Sequence, residues 1–348
     1  MKIYSKILLL FVLPCFTCTS YEQDVVKVLG RKLLVNDQQF LIKGVCYHPV
    51  PRGSNNVRNF DKLDEDIALM KELGVNTIRV YEPIKEITVL NKLARNNIKV
   101  IMGFGYSQEG NYDLRSGKYL DYVKKYKNHK AILMWELGNE YNYHSEWFER
   151  DDILWYRVLN QSAKAIHDID KNHPVSTAHG DLPDELAILY CPEIDVWGMN
   201  VLRWDDPSTV FYEWEKISGK PMYLSEAGSD SYMTISSSNY KQGENQRAQA
   251  DANEKILNEI FKEVNICSGV TLFSFVDEWW KEGNCDVQDI GEGTKDVIGV
   301  PYDGYPNEEY WGIVDMDRNK KETFNVVKRK YNQVYIGKAS KEITAQPN

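Results

Sequence analysis

The chain has 348 residues, 43% of them hydrophobic and 12% aromatic, with a formal net charge of -9. That is enough apolar material for a packed core in one large α/β domain or two small ones. No basic block interrupts the acidic balance, so nucleic acid is disfavoured as a partner, and so is a polyanionic glycan.

Lys2 and Lys6 precede an apolar run from Ile7 to Leu13. The run is too short to span a bilayer and fits a secretory signal. Cys15 and Cys18 follow, then a polar stretch from Thr19 to Asp24. A bacterial lipoprotein carries its lipid on a cysteine placed in this way. Residues 1–18 are therefore expected to be an export signal, with a lipid anchor on Cys15 or Cys18. The protein is expected in the periplasm or at the cell surface. Cys46, Cys191, Cys267 and Cys285 remain, and export would permit disulfides among them in any of three pairings. With no Cys-x-x-Cys or His-rich pattern after the export segment, no metal or organic cofactor is expected.

Short runs broken by turn signals, Gly30-Arg31 and Asn36-Asp37, predict a β-hairpin that leads into a first buried strand over 40–47. Apolar residues at helical spacing over 60–73, stopped by Gly74, predict the first helix. Strands and helices then alternate. Strands are predicted at 77–81, 98–104, 132–135, 175–178, 195–200, 222–225 and 269–276. Helices are predicted at 87–94, 119–126, 152–169, 211–217 and 247–264. About eight buried strands, mostly separated by helices, imply a parallel sheet, and eight such units close into a (β/α)₈ TIM barrel. The barrel domain is expected to occupy 26–336, with a polar tail at 337–348.

The active face of such a barrel lies at the C-terminal strand ends. Two strings dominate there: Trp135-Glu136-Leu137-Gly138-Asn139-Glu140 and Tyr223-Leu224-Ser225-Glu226-Ala227. Each places a carboxylate at the end of an apolar strand, where burial is costly unless the charge is paired or used. Two facing carboxyl groups are the equipment of a glycosidase: one protonates the leaving oxygen, and the other attacks or activates water. Around them gather His48, Arg79, Tyr106, His179, Asn200, Trp204, Trp279 and Trp280 as candidates for holding sugar. Among the strand-eight aromatics, Phe275, Trp279 and Trp280 all qualify as a stacking platform. Asp277 and Glu278 read as rim or salt-bridge residues. Glu136, four residues before Glu140, should lie about 13 Å deeper if the strand stays extended, in a paired structural role.

These residues resemble the retaining glycoside hydrolases built on this barrel. Asn139-Glu140 matches their acid/base pair, and Glu226 their nucleophile. Phe40-Leu41-Ile42-Lys43-Gly44-Val45 is similar to the opening of the glycoside hydrolase family 2 barrel and to that of β-1,3-glucanosyltransferases. Asn76-Thr77-Ile78-Arg79 fits the second strand of both, and Arg79 then matches the arginine that pairs with the nucleophile. Trp311-Gly312-Ile313-Val314-Asp315 resembles the end of the family 2 barrel. The resemblance implies a retaining β-glycosidase that cleaves a neutral β-linked oligo- or polysaccharide, β-glucan first, with Asn139 on the sugar 2-OH. Transglycosylation on the same barrel is the alternative. A non-catalytic carbohydrate-binding barrel is the rival from another class. One departure stands out: Leu202 occupies the strand-six position where many relatives carry a tyrosine that bonds the nucleophile. Either another residue, such as Tyr106 or Tyr232, is expected to fill that role, or the nucleophile is tuned differently.

Overall fold

The computed structural model describes residues 24–107, 112–203, 206–290 and 303–333. The export segment with Cys15 and Cys18, Trp204 and the polar tail lie outside them.

Three short strands open the described chain: β1 (Val26–Leu29), β2 (Lys32–Val35) and β3 (Gln38–Gln39). They pair antiparallel, so the predicted hairpin carries a third, two-residue strand. Val26 and Leu33 from this sheet pack against Ile42, Ile101, Leu133, Met134, Val196 and Tyr223. Apolar hairpin side chains thus pack against apolar residues of the barrel strands.

Eight parallel strands follow: β4 (Ile42–Cys46), β5 (Thr77–Val80), β6 (Lys99–Phe104), β7 (Ile132–Asn139), β8 (Val175–Gly180), β9 (Val196–Asn200) and β10 (Met222–Ala227), with the eighth after a two-stranded insert. The insert is β11 (Tyr232–Met233) and β12 (Gly243–Glu244), and the eighth barrel strand is β13 (Cys267–Leu272). Each pairs with its chain neighbour, and β13 closes the ring on β4. Nearly every strand residue is buried, because one face meets the barrel interior and the other the helices.

The helices are α1 (Leu63–Leu73), α2 (Ile87–Arg95), α3 (Tyr119–Tyr126), α4 (Asp152–Ile169), α5 (Glu185–Tyr190), α6 (Ser208–Ile217), α7 (Gln246–Lys262) and α8 (Glu322–Gln333). Local chemistry fixes their ends. Gly74 closes α1 in the left-handed conformation, at φ 84°, which glycine adopts without a Cβ penalty. Asp151, Asp184 and Asn245 cap α4, α5 and α7 with side-chain oxygens that accept backbone N–H groups. Two helices were not read from the sequence. The six-residue α5 is too short to show a period. The pattern of α8 is mostly polar, yet it buries Phe324, Val327 and Tyr331.

The last strand is shorter than its predicted span, 269–276. Its sheet pairing ends at Leu272, and the chain from Phe273 to Val276 bonds instead to strand ends and to the segment around Trp311. Cys46, Cys191, Cys267 and Cys285 are all free thiols, so none of the three disulfide pairings is present.

Candidate active site

Arg79 is the centre of the site. It lies near the end of β5 inside the barrel with its side chain 1% exposed, and its guanidinium makes three short bonds besides longer ones to the Ser225 carbonyl and the Cys46 sulfur. Nε donates to Glu136 Oε1 at 2.6 Å, Nη1 to Glu226 Oε1 at 2.7 Å and Nη2 to Asn139 Oδ1 at 2.7 Å. A planar cation with rigidly spaced donors matches this task; a lysine would not. One guanidinium therefore joins strands β5, β7 and β10.

Glu136 and Asn139 cannot both face Arg79 on a strictly alternating strand, since an offset of three reverses the side chain. The pairing of β7 with β8 slips between Glu136 and Asn139. Gly138 makes the slip possible: its φ is 74°, and a Cβ there would lie 2.6 Å from the Trp155 ring. The strand is not extended here, so the spacing expected of an extended strand does not hold. The paired role expected of Glu136 does hold, because Tyr223 Oη also donates to its Oε2.

Glu140 follows this irregularity in the left-handed region, at φ 56°. That conformation is costly for a residue with a Cβ and is concentrated at functional sites. Its carboxyl is pushed up to about 7, first by burial and then by the Glu226 charge, against a hydrogen bond from Asn200. Glu226 sits opposite, 8% exposed. Its Oε1 receives the Arg79 bond and a second one from Tyr81 Oη at 2.9 Å. The tyrosine that bonds this carboxylate is therefore Tyr81, at the end of strand two. Tyr106 instead packs against Phe148, and Tyr232 against Tyr310. The signal was present, since Tyr81 lies two residues after Arg79 and so shares its face of the strand.

The Asn139 amide has a fixed orientation. Its oxygen accepts from Arg79 and from Asn200 Nδ2 at 3.1 Å, so its NH₂ is left for the cavity. Asn200 is itself oriented by Ser225 Oγ at 2.7 Å.

Glu140 and Glu226 wall one cavity of about 330 Å³. His48, Tyr81, Asn139, Phe273, Trp280 and Trp311 help to line it. Of the other expected sugar contacts, Arg79 and Asn200 act from beneath it by holding Glu226 and Asn139. Four are not brought to the cavity, Tyr106 on Phe148 being the first. Trp279 lies under Arg52, whose guanidinium carbon is 4.2 Å from the ring centroid. His179 is a buried residue bonded to Tyr156 and to the Gly180 and Asp181 carbonyls. Phe275 packs on Tyr47 inside the core. Phe273 and Trp311 were missed as lining residues, because their place depends on the 273–276 segment meeting the chain near 311.

The three-way Arg79 network makes a stability prediction. Arg79→Met removes the cation and leaves Glu136 and Glu226 facing each other's field in the interior. Breaking a buried pair from one side costs about 3–5 kcal/mol. The expected result is a markedly lower urea midpoint with an unchanged slope. An unchanged midpoint would show that the network contributes nothing to folding.

A carboxyl that titrates near neutrality, beside a carboxylate held by an arginine and a tyrosine, is the division of labour that glycosidic cleavage requires. Comparison with known proteins agrees at the level of family. Residues 16–295 match the glucanosyltransferase model of glycoside hydrolase family 72. A β-glucuronidase from Paenibacillus borealis is 24% identical over 240 residues, which cover 59% of this chain and 38% of the relative. A β-galactosidase from Pseudoalteromonas haloplanktis is 32% identical over 129 residues, 33% of this chain and 12% of the relative. Among solved structures, the family 2 β-galacturonidase from Eisenbergiella tayi superposes with a TM-score of 0.65 at 20% identity, covering 90% of this chain and 55% of that one. This chain thus spans roughly half or less of the relatives it matches. The matched family model, the closed barrel and the glycosidase relatives together make this chain a glycoside hydrolase barrel that belongs to the glucanosyltransferase family, glycoside hydrolase family 72.

Proposed function

We propose that the protein is a retaining β-glycosidase that acts on a neutral β-linked glycan, with β-glucan favoured. The observation that carries this reading is the unequal pair on one cavity: Glu140, raised to about 7 by burial and the Glu226 charge, and Glu226, fixed by Arg79 and Tyr81. In the first step Glu226 attacks the anomeric carbon while the bond to the leaving oxygen breaks. Glu140 gives its proton to that oxygen. The two hydrogen bonds on Glu226 Oε1 leave Oε2 for the attack. In the second step Glu140 takes a proton from water, and the water oxygen displaces Glu226 from the sugar. The Asn139 NH₂ is the donor for the sugar 2-OH, a contact that tightens as the oxocarbenium-like state forms.

Charge favours a neutral sugar over the uronic acids named for several relatives. Among the described residues, Glu82, Glu140, Glu226, Glu278 and Glu308 line the cavity against one lysine, Lys281. That lysine is 2.9 Å from Glu308, so its charge is already matched. A second reading, transfer of the glycosyl unit to another sugar instead of water, is favoured by the family match.

Purified protein should be tested on aryl β-glucosides, aryl β-glucuronides and β-glucan oligosaccharides, with products followed from the first minutes. Glucosides and glucans are expected to react. Products longer than the substrate indicate transfer, and shorter ones alone indicate hydrolysis. Reaction with glucuronides alone, or with nothing, sinks the proposal. Export belongs to the same proposal: cell fractionation should find the protein in envelope or medium, and full-length protein in the cytosol would contradict it.

A further inference from the structure

Three residues on the cavity wall carry buried polar atoms with no hydrogen-bond partner among the described residues: His48 at Nδ1, Glu278 at both carboxylate oxygens, and Trp280 at Nε1. Buried polar groups are paired in the great majority of cases, so a cluster of exceptions in one cavity calls for a reason. Glu278 is the most costly of them. It is 2% exposed, and an unmatched carboxylate is expensive to bury. Burial pushes its carboxyl up to about 8, against the attraction of Lys281. Its nearest cation, Lys281, is 3.9 Å away and lies closer to Glu308, at 2.9 Å. The neighbouring carboxylate shows what a structural role looks like in this segment: Asp277 bonds Lys321 at 2.9 Å and the Gly312 N–H at 2.8 Å.

The other two orphans complement it. His48 Nε2 is 2.7 Å from Asn56 Oδ1, so that nitrogen carries the proton and Nδ1 is left as an acceptor. Burial lowers His48 to about 4, which keeps the ring neutral. The Trp280 indole, 5.1 Å from the His48 ring, can only donate. Above about pH 8, where Glu278 is ionised, the cavity therefore offers a bidentate acceptor, a single acceptor and a donor, and hydroxyl donors on the carboxylate favour that ionised form. Sugar hydroxyls, which donate and accept, satisfy all three. A ligand carboxylate does not satisfy the ionised form, because it would meet the Glu278 charge.

We propose that Glu278 is the specificity-determining residue of the cavity, accepting hydrogen bonds from two neighbouring hydroxyls of a neutral pyranose while Trp280 and His48 bind a third position. This rests on the sugar-binding part of the glycosidase reading. The sequence reading of Glu278 as rim or salt bridge is replaced by a role in which ligand supplies the missing partners.

The test is calorimetric binding at pH 9, where Glu278 is ionised, of D-glucose, its 3-, 4- and 6-deoxy analogues and D-glucuronate to the wild type, Glu278→Gln and Glu278→Met. The wild type should bind glucose, bind at least one deoxy analogue about 10–100-fold more weakly, the range for a hydrogen bond to a charged group, and not bind glucuronate. Glu278→Met should lose a similar factor on glucose and lose nothing further on that analogue, since the two changes remove one interaction. Its melting temperature should rise, because an orphaned carboxylate has gone and Lys281 keeps Glu308. Equal weakening across all analogues, unchanged binding, or no sugar binding by the wild type overturns the assignment. So does loss of the fold in both variants, which makes Glu278 structural. Sugar binding with the expected pattern but no turnover of any glycoside leaves Glu278 assigned and removes the glycosidase reading instead.

Discussion

Glu226→Gln is expected to abolish turnover of every glycoside while sugar binding persists. The change removes the attacking charge and almost no volume. The oxygen of the new amide can still accept the bonds from Arg79 Nη1 and Tyr81 Oη that Glu226 accepts now, so the pocket should keep its shape. Neither of the two carboxyl groups nearest in the network, Glu136 and Glu140, can take over: Glu136 is beneath the cavity on Arg79 and Tyr223, and Glu140 carries its proton near neutrality. The same assignment fixes the stereochemistry. Attack by Glu226 and then by water inverts the anomeric centre twice, so the first sugar released should be the β anomer, visible by NMR before mutarotation. Retaining enzymes hold their carboxyl groups about 5–5.5 Å apart, whereas inverting ones leave about 6.5–9.5 Å for a water. An α product, or substantial activity in Glu226→Gln, would falsify the nucleophile assignment.

Glu140→Ala should discriminate between substrates. Glycosides with poor leaving groups need their oxygen protonated and should lose about 10²–10⁴-fold, the usual contribution of general acid catalysis. Activated aryl glycosides should still form the covalent intermediate, and azide should then rescue turnover by replacing water activated by Glu140. Equal loss on both substrate classes without rescue removes the role from Glu140. The wild-type pH profile carries the same signature. The first step needs protonated Glu140, so kcat/KM for poor leaving groups should fall as pH rises through about 7. Because the Glu226 charge helps to raise that group, Glu226→Gln should move its titration to lower pH, measurable by NMR of labelled glutamate. A titration that moves upward would mean that Glu226 does not act on Glu140.

The barrel was legible in the sequence because it is written in local terms. Apolar runs of four to eight residues, turn residues between them and helical periodicity recur regularly, and closure of eight such units buries both faces of every strand. The placement of Asn139, Glu140, Glu226 and Arg79 together was legible for the same reason. Each sits at or near a strand end, and in this fold strand order alone brings those ends to one rim. What the tertiary structure decided depends on contacts between distant segments. Tyr81, not Tyr106 or Tyr232, bonds Glu226: the alternation of the strand puts it on the face of Arg79, but only the packing of β5 against its neighbours aims its hydroxyl at that carboxylate. The bend at Gly138 put Glu136 and Asn139 on one guanidinium, which a count of residues along an extended strand does not foresee. Phe273, Trp311, Lys281 and Glu308 reached the cavity through loops that fold over the eighth strand, and loops have no period from which to read their course. Glu278 looked like its neighbour Asp277 in the sequence. Only the fold gave Asp277 a lysine at 2.9 Å and left Glu278 with one at 3.9 Å that lies closer to Glu308, since pairing is a property of where two segments meet and not of either one.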